Sequence, residues 1–403
     1  MDRLASMSRR SLVKWGVLST GLAVLPKGRL FAQVGGRDEE GLFPAEGLSG
    51  GGQLDIRIGV GPHNSDPDVV EIARRMRPYN IPSWVTEYTR QAEKNEKLAD
   101  QFAKEGRKVT ASEYYLRAAG FYSTGCWPMA ESDPRMMPTF NKILEMNAKA
   151  HKLVPPPFER VEIPYEGTTL PGFFMKPRGT AGQRFPTVFT YGGADSITTG
   201  NGGGAVYAAR GMASIAVDGP GMGSTLRVKH VYAPPDSERF AKAVIDYLVT
   251  RPDVDPNRIG IYGVSMGGYG APRSASGDKR IKACAASSAA YSLREDIFDF
   301  FPPIQERLRW LIGARDLADA RKKMAAFTLE GQAQKIECPM LIGYSKDDRI
   351  MDPQGAFNLY QAAVNSKREM VEGIGHNHPT RVGGPNPLRP PTIPDWMAKQ
   401  LGA

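Results

Sequence analysis

A serine at position 265 sits inside a glycine-flanked pentapeptide, Gly263-Val264-Ser265-Met266-Gly267, directly after an apolar run at 259–262. This is the G-x-S-x-G pattern of a nucleophile elbow, a strand-to-helix turn that lifts a hydroxyl clear of the backbone. The glycines have a steric reason. A strained turn brings the positions two before and two after the serine against the neighbouring strand and helix, where side chains would clash. The pentapeptide alone is a common pattern. Its context, an apolar strand before it and the small-residue run Gly267-Gly268-Tyr269-Gly270-Ala271 after it, is what makes it specific.

A serine hydroxyl is a weak nucleophile at neutral pH. It needs a base within hydrogen-bond reach and an acid to orient that base. In the α/β-hydrolase chain order, the acid and then the histidine follow the serine. His63, His151 and His230 precede Ser265, so they fall in the wrong order. His376, in Gly373-Ile374-Gly375-His376-Asn377-His378, is the expected base, with His378 as the alternative. Asp348 is the expected acid, because the apolar pair Ile350-Met351 after it can tie its loop back into the fold. Asp347 is the runner-up and Asp352 a distant third. The oxyanion of a tetrahedral intermediate needs two backbone N–H donors, expected from Met266 and from Gly193 or Ala194. His376 and His378 have no third ligand at a sensible spacing, so neither a metal nor another cofactor is expected. Gly219, Gly221 and Gly223 lack the Lys-Ser/Thr of a phosphate loop and read as a tight turn near the site.

These residues require a scaffold of alternating strands and helices, and the chain supplies one from about residue 157. Strand patterns fall at 158–165, 169–175, 186–191, 212–217, 258–263, 280–287, 339–344 and 368–372, with helical patterns between the later ones. The expected fold is α/β, a mostly parallel sheet with helices on both faces. Residues 67–156 carry helical spacing only, in four segments, with Ser112 before Glu113 reading as a helix start. Residues 33–66, with Gly50-Gly51-Gly52, read as a tether. Tyr122 and Trp127 from the helical segment, and Tyr291, Phe298 and Phe301 after the elbow, are the candidates to line a substrate pocket. The aromatic residues of the helical segment otherwise read as packing core.

The chain has 403 residues and a formal net charge of +9. More than half of that excess lies in residues 1–32, where Arg3, Arg9, Arg10, Lys14, Lys27 and Arg29 face Asp2 alone. What remains is too mild and too evenly spread for nucleic acid or an anionic membrane. Ser8-Arg9-Arg10-Ser11-Leu12-Val13-Lys14, a short apolar run and a small residue at Ala32 match a twin-arginine export signal, which predicts a periplasmic protein. The apolar run is too short for a membrane span, so no stable span is expected once the signal is removed. Cys126, Cys284 and Cys338 form no disulfide framework. A small molecule is the expected partner, and a homodimer is compatible with the chain.

Taken as a set, several motifs resemble the dihydroxypseudooxynicotine hydrolase family, with its fungal polyketide chain-shortening and fermentation-respiration switch relatives. They are the helical segment with Glu113-Tyr114-Tyr115-Leu116-Arg117-Ala118, the 163–172 strand pair, the Gly192-Gly193-Ala194-Asp195-Ser196 loop, Asp218-Gly219-Pro220-Gly221-Met222-Gly223 and the elbow. The resemblance covers residues 67–400. It implies the triad Ser265, Asp348 and His376, and a substrate cavity between the helical and sheet domains. Members of that family cleave C–C bonds beside a carbonyl, and others act on esters. This chain departs from the nicotine-degrading relative in carrying an export signal. It also departs in the segment where that relative draws on an extra acid, which here offers Glu295, Asp296 and Asp299 while Phe300 and Phe301 take the nearest equivalent positions. Three functions follow as expectations: a carboxylic ester hydrolase on an aromatic or apolar substrate, a C–C hydrolase on a β-diketone or acyl-phenol, or a non-catalytic binding or regulatory protein with the same fold.

Overall fold

The computed structural model describes residues 66–77, 80–180, 182–194, 196–198, 200, 203–373 and 393–403. The expected export signal, nearly all of the tether, and His376 and His378 lie outside these residues.

Among the described residues four helices come first: α1 (Pro67–Arg75), α2 (Ile81–Lys104), α3 (Lys108–Cys126) and α4 (Met136–Leu153). Local chemistry starts the first two. The Asp66 carboxylate accepts from the Asp68 N–H at 3.0 Å, the Asn80 side chain accepts from the Ser83 N–H at 2.8 Å, and each helix has a proline in its first turn. Their inward faces repeat at helical spacing: Trp84, Tyr88 and Ala92 on α2, Tyr115, Ala118 and Tyr122 on α3, and Phe140, Ile143 and Met146 on α4. Ser112 does not begin a helix. The chain turns at Gly106 (φ 76°), α3 starts at Lys108, and the Ser112 hydroxyl donates to the Ala150 carbonyl at 3.0 Å, joining α3 to α4. A sequence window registers Ser112 as a cap because it does not register the left-handed turn just before it.

The rest of the chain builds one eight-stranded sheet in the order β1-β2-β4-β3-β5-β6-β7-β8. In chain order the elements are β1 (Glu159–Tyr165), β2 (Thr168–Met175), β3 (Phe185–Tyr191), α5 (Gly204–Ala208), β4 (Ala213–Val217), α6 (Gly223–Arg227), α7 (Glu238–Thr250), β5 (Val254–Val264), α8 (Met266–Gly277), β6 (Ile281–Ser287), α9 (Gln305–Leu311), α10 (Leu317–Met324), β7 (Met340–Tyr344), α11 (Pro353–Ala362), β8 (Arg368–Glu372) and α12 (Ile393–Leu401). β1 and β2 form a hairpin through Glu166 (φ 43°) and Gly167 (φ 80°), and β2 pairs antiparallel with β4. All later pairings are parallel. Period-two alternation sends neighbouring residues to opposite faces. Phe189, Ile215 and Ile261 pack with Phe240 and Val244 of α7, and with Tyr269 and Ala271 of α8. Val188, Ala283 and Leu341 pack with Tyr207 of α5, and with Trp396, Met397 and Leu401 of α12. Each of the larger aliphatic and phenyl side chains among them contributes about 1.5–3 kcal/mol. The strand order reverses around β3, with β4 on one side and β5 on the other. The crevice at the carboxyl ends of β3 and β5 is the topological switch point where α/β sheets bind ligands.

Candidate active site

Ser265 is the single residue between β5 and α8, with φ 61° and ψ −122°. A non-glycine residue in that region costs on the order of 1–3 kcal/mol, so its surroundings must hold it there. The Ser265 N–H donates to the Ser287 carbonyl of β6 at 3.1 Å, and the Gly268 N–H donates back to the Ser265 carbonyl at 2.7 Å. The flanking glycines are obligatory by contact. A Cβ on Gly267 would lie 2.3 Å from the Tyr191 carbonyl oxygen, and one on Gly263 would lie 1.9 Å from the Gly267 oxygen. The loop after β3 passes beside Ser265, since a Cβ on Gly193 would stand 3.3 Å from Ser265 Cβ. Ala194, next in that loop, is buried. Met266 is the first residue of α8, where backbone N–H groups have no acceptor within the helix and the dipole favours negative charge.

The three acids proposed from sequence have three different environments. Asp347 is exposed. Asp352 caps α11, its carboxylate accepting from the Gln354 N–H at 2.9 Å. Asp348 is buried. Its Oδ1 accepts from the N–H groups of Ile350 (2.9 Å) and Met351 (3.1 Å), and its Oδ2 accepts from the Ser288 hydroxyl at 3.2 Å. Ser288 has φ 47°, and its carbonyl oxygen lies 2.6 Å from where a Gly268 Cβ would be, so the acid's partner is packed against the elbow helix. His376 lies outside the described residues, as does Asp195 of the loop after β3.

One residue of this region is a structural brace that the sequence reading passed over as part of a turn. Asp218 is buried at the end of β4. It accepts from the Thr198 N–H at 2.9 Å and the Ser224 N–H at 2.8 Å, while its carbonyl accepts from the Thr225 hydroxyl at 2.6 Å. Burial pushes its carboxyl above the usual range, and these donors oppose that shift. The Gly223 N–H also donates to the Ser196 carbonyl at 3.1 Å. The loop beside Ser265 is thereby stitched to the start of α6. An Asp-Gly-Pro-Gly run could have signalled this, since Asp is the one residue there able to accept from two backbone amides.

Among the three acids of the 291–303 segment, Asp296 is the buried one, and burial pushes it up to about 6. Its Oδ2 accepts from the Tyr291 (2.7 Å) and Ser292 (2.9 Å) N–H groups, and its carbonyl accepts from the Asp352 N–H at 2.8 Å, tying this segment to the acid loop. Glu295 is exposed and bonded to Ser292 and Arg294, and Asp299 pairs with Arg321 at 2.8 Å.

The candidate pocket aromatics are scattered. Tyr122 is buried between helices, its hydroxyl donating to Glu96 at 2.8 Å. Trp127 packs at a tilt against Trp84, ring centres 6.1 Å apart, and its carbonyl accepts from Arg307 at 2.9 Å, which places it where the helices meet the sheet domain. Tyr291 is half-buried, while Phe298 and Phe301 are buried in the main core beside the sheet. A groove of about 690 Å³ lies between α4 and the first hairpin, lined by Leu144, Asn147, His151, Phe158, Phe173 and Ser224. Among the described residues, Ser265 does not line it.

The sheet, its strand order and the serine turn at the switch point define an α/β-hydrolase. The family model described as "Esterase FrsA-like" matches residues 57–352. The chain belongs to this esterase FrsA-like family and is a hydrolase of the α/β-hydrolase superfamily. Hydrolase LUC6 of Fusarium sp is 28% identical over 329 residues, covering 70% of this chain and 78% of that protein. Alpha/beta hydrolase xenA of Xenoacremonium sinensis is 34% identical over 229 residues, covering 53% of this chain and only 52% of that protein. The solved structure of 2,6-dihydroxy-pseudo-oxynicotine hydrolase superposes with a TM-score of 0.70 at 25% identity, covering 84% of this chain and 92% of that one. AbyA5 superposes with a TM-score of 0.65 at 16% identity, a likeness of fold. Among the described residues, no helix is long and apolar enough to cross a membrane.

Proposed function

We propose that this hydrolase is a serine esterase acting through a covalent acyl-enzyme, with Ser265 as nucleophile, His376 as base and Asp348 as the acid that orients it. The observation that carries this reading is Ser265 held at φ 61° beside Gly193 at the switch point. The buried carboxylate of Asp348 supports it. In this scheme Ser265 Oγ attacks the ester carbonyl carbon and its proton passes to His376. The negative charge on the former carbonyl oxygen rests on the N–H groups of Met266 and of Gly193 or Ala194. Collapse breaks the C–O bond, and His376 protonates the departing alkoxide. Water, deprotonated by His376, then cleaves the acyl-enzyme to release the acid. The substrate is a small molecule with an aromatic or apolar acyl part.

Fluorophosphonate labelling tests this directly. Wild-type protein should be labelled and Ser265→Ala should not, and an unlabelled wild type would leave the non-catalytic binding reading standing. The likeness to 2,6-dihydroxy-pseudo-oxynicotine hydrolase supports a second reading, in which the same serine cleaves a C–C bond beside a carbonyl in a β-diketone or acyl-phenol. There the leaving carbanion must be protonated, so turnover of β-diketones at rates above those of p-nitrophenyl esters would favour it.

A further inference from the structure

Arg227, the last residue of α6, is 6% exposed. Its guanidinium lies 5.0 Å from the ring centre of Trp310 and 5.3 Å from that of Phe140, one ring from each side of the junction between the helices and the sheet domain. Such stacking satisfies the faces of the guanidinium and leaves its edge, where the N–H donors lie, to find acceptors. The acceptors are scarce. Among the described residues, Nη1 reaches only the Gly223 carbonyl, at 3.5 Å, and Nε is buried without a hydrogen-bond partner. No ion pair forms at Arg227 among the described residues.

The neighbouring Arg307 shows what a satisfied buried arginine looks like here. It is 2% exposed, donates to the carbonyls of Trp127 (2.9 Å) and Met129 (3.1 Å), and pairs with Glu131 at 3.5 Å. It shares the Trp310 ring with Arg227, at 5.6 Å. Asp218, the carboxylate that follows β4, is already engaged by Thr198 and Ser224. Burial, with Arg307 close by, pushes the Arg227 guanidinium down to about 10, still charged at neutral pH. A buried charge without a hydrogen-bonded counter-charge costs several kcal/mol, a cost that an anionic partner bonded to the guanidinium would offset.

The position is suitable for substrate. α6 starts at Gly223, which is hydrogen-bonded to the loop that passes Ser265, and a Gly192 Cβ would lie 3.7 Å from Met222 Sδ. Arg227 is therefore one short helix away from the expected oxyanion loop. We propose that Arg227 binds a carboxylate on the substrate, so that the natural substrate carries an acidic group in addition to the bond that is cleaved. The planar fork of a guanidinium matches a carboxylate in two parallel hydrogen bonds, and Phe140 and Trp310 hold that fork in one orientation. This rests on the hydrolase reading for its kinetic test, but not for its binding test.

The kinetic test compares p-nitrophenyl hydrogen glutarate with p-nitrophenyl methyl glutarate, which differ at the far end, a carboxylate in one and its neutral methyl ester in the other. Wild-type enzyme should prefer the acid, and Arg227→Gln should lower the ratio of the two kcat/KM values about 10- to 100-fold, the loss expected for a charged hydrogen bond. Arg227→Lys should restore part of the preference. No wild-type preference for the acid, or an equal loss on both esters, overturns the proposal and leaves Arg227 a packing residue. Calorimetry with phenylacetate and phenylacetamide decides the matter if neither ester is turned over, or if the Gln variant does not fold and Arg227→Lys must stand in for it. Phenylacetate should bind wild type at least ~10-fold more tightly than the amide, with that margin shrinking in the variant. Equal affinities in wild type overturn it.

Discussion

Replacing Asp348 by Asn separates orientation of the base from stability of the loop. In the wild type, Oδ1 accepts two backbone N–H groups, from Ile350 and Met351, and Oδ2 accepts from Ser288. The Asn oxygen can keep both backbone donors, so the loop should hold and Tm should move little. The amide NH2 then occupies the Oδ2 position. It can donate to the Ser288 hydroxyl, which rotates to accept, but it cannot accept a hydrogen bond from an imidazole N–H. The base is left in the wrong tautomer, a change that costs roughly 10³- to 10⁴-fold in kcat, or about 4–5.5 kcal/mol of transition-state stabilisation. Asp348→Ala should behave differently. It leaves two buried N–H groups without an acceptor, at about 1–3 kcal/mol each, so it should lose both activity and stability. Asp347→Asn, on the exposed neighbour, should stay within about 2-fold of wild type. The assay is kcat/KM on a p-nitrophenyl ester alongside urea unfolding. Asp348→Asn retaining full activity, or Asp347→Asn losing it, would refute the assignment.

Other outcomes follow from the same geometry. Gly193→Ala would place a methyl 3.3 Å from Ser265 Cβ and from the Val264 carbonyl oxygen, so kcat should fall roughly 10- to 100-fold with little change in Tm, measured by steady-state kinetics and thermal melting. Asp296 has its carboxyl pushed up to about 6 from an ordinary 3.8, so the folded state binds more protons than the unfolded chain between those values. Its contribution to stability is therefore greatest below about 4 and is lost as pH rises through 6, by about 3 kcal/mol in all. Asp296→Asn should gain stability relative to wild type at pH 7 and not at pH 4.5, and an equal effect at both, read by urea unfolding, would remove the titration argument. Arg9→Lys with Arg10→Lys should block export to the periplasm through the twin-arginine route, read by cell fractionation, and undiminished delivery would refute that route.

What could be read from residues alone was whatever depends on near neighbours in the chain. The elbow is such a case: a serine between glycines, after an apolar strand and before a small-residue helix, specifies its own turn because the clashes it avoids are with residues a few positions away or on the adjacent strand. The strands and most helices were legible for the same reason, as periodicity. Ser112 misled because a left-handed residue at Gly106 had already begun the helix. The ordering of Asp348 and His376 after Ser265 was also plain in the sequence, as was the apolar pair that follows Asp348.

The tertiary structure decided burial and partners, which no local window contains. Ile350 and Met351 are 0% and 1% exposed, and their insertion turns Asp348 inward while leaving Asp347 in solvent. Asp218 became a brace because β4 ends where the loop after β3 and the start of α6 meet, three pieces of chain that only the sheet order brings together. Arg227 looked like one more basic residue after a glycine-rich turn. Its isolation between Phe140 and Trp310 arises from helices contributed by segments about 80 residues away on either side, and hydrogen-bond satisfaction is a property of that packed neighbourhood rather than of the residue. The sequence by itself determined that a serine would stand at the strand-to-helix turn; the assembled fold determined which charges are kept from water around it.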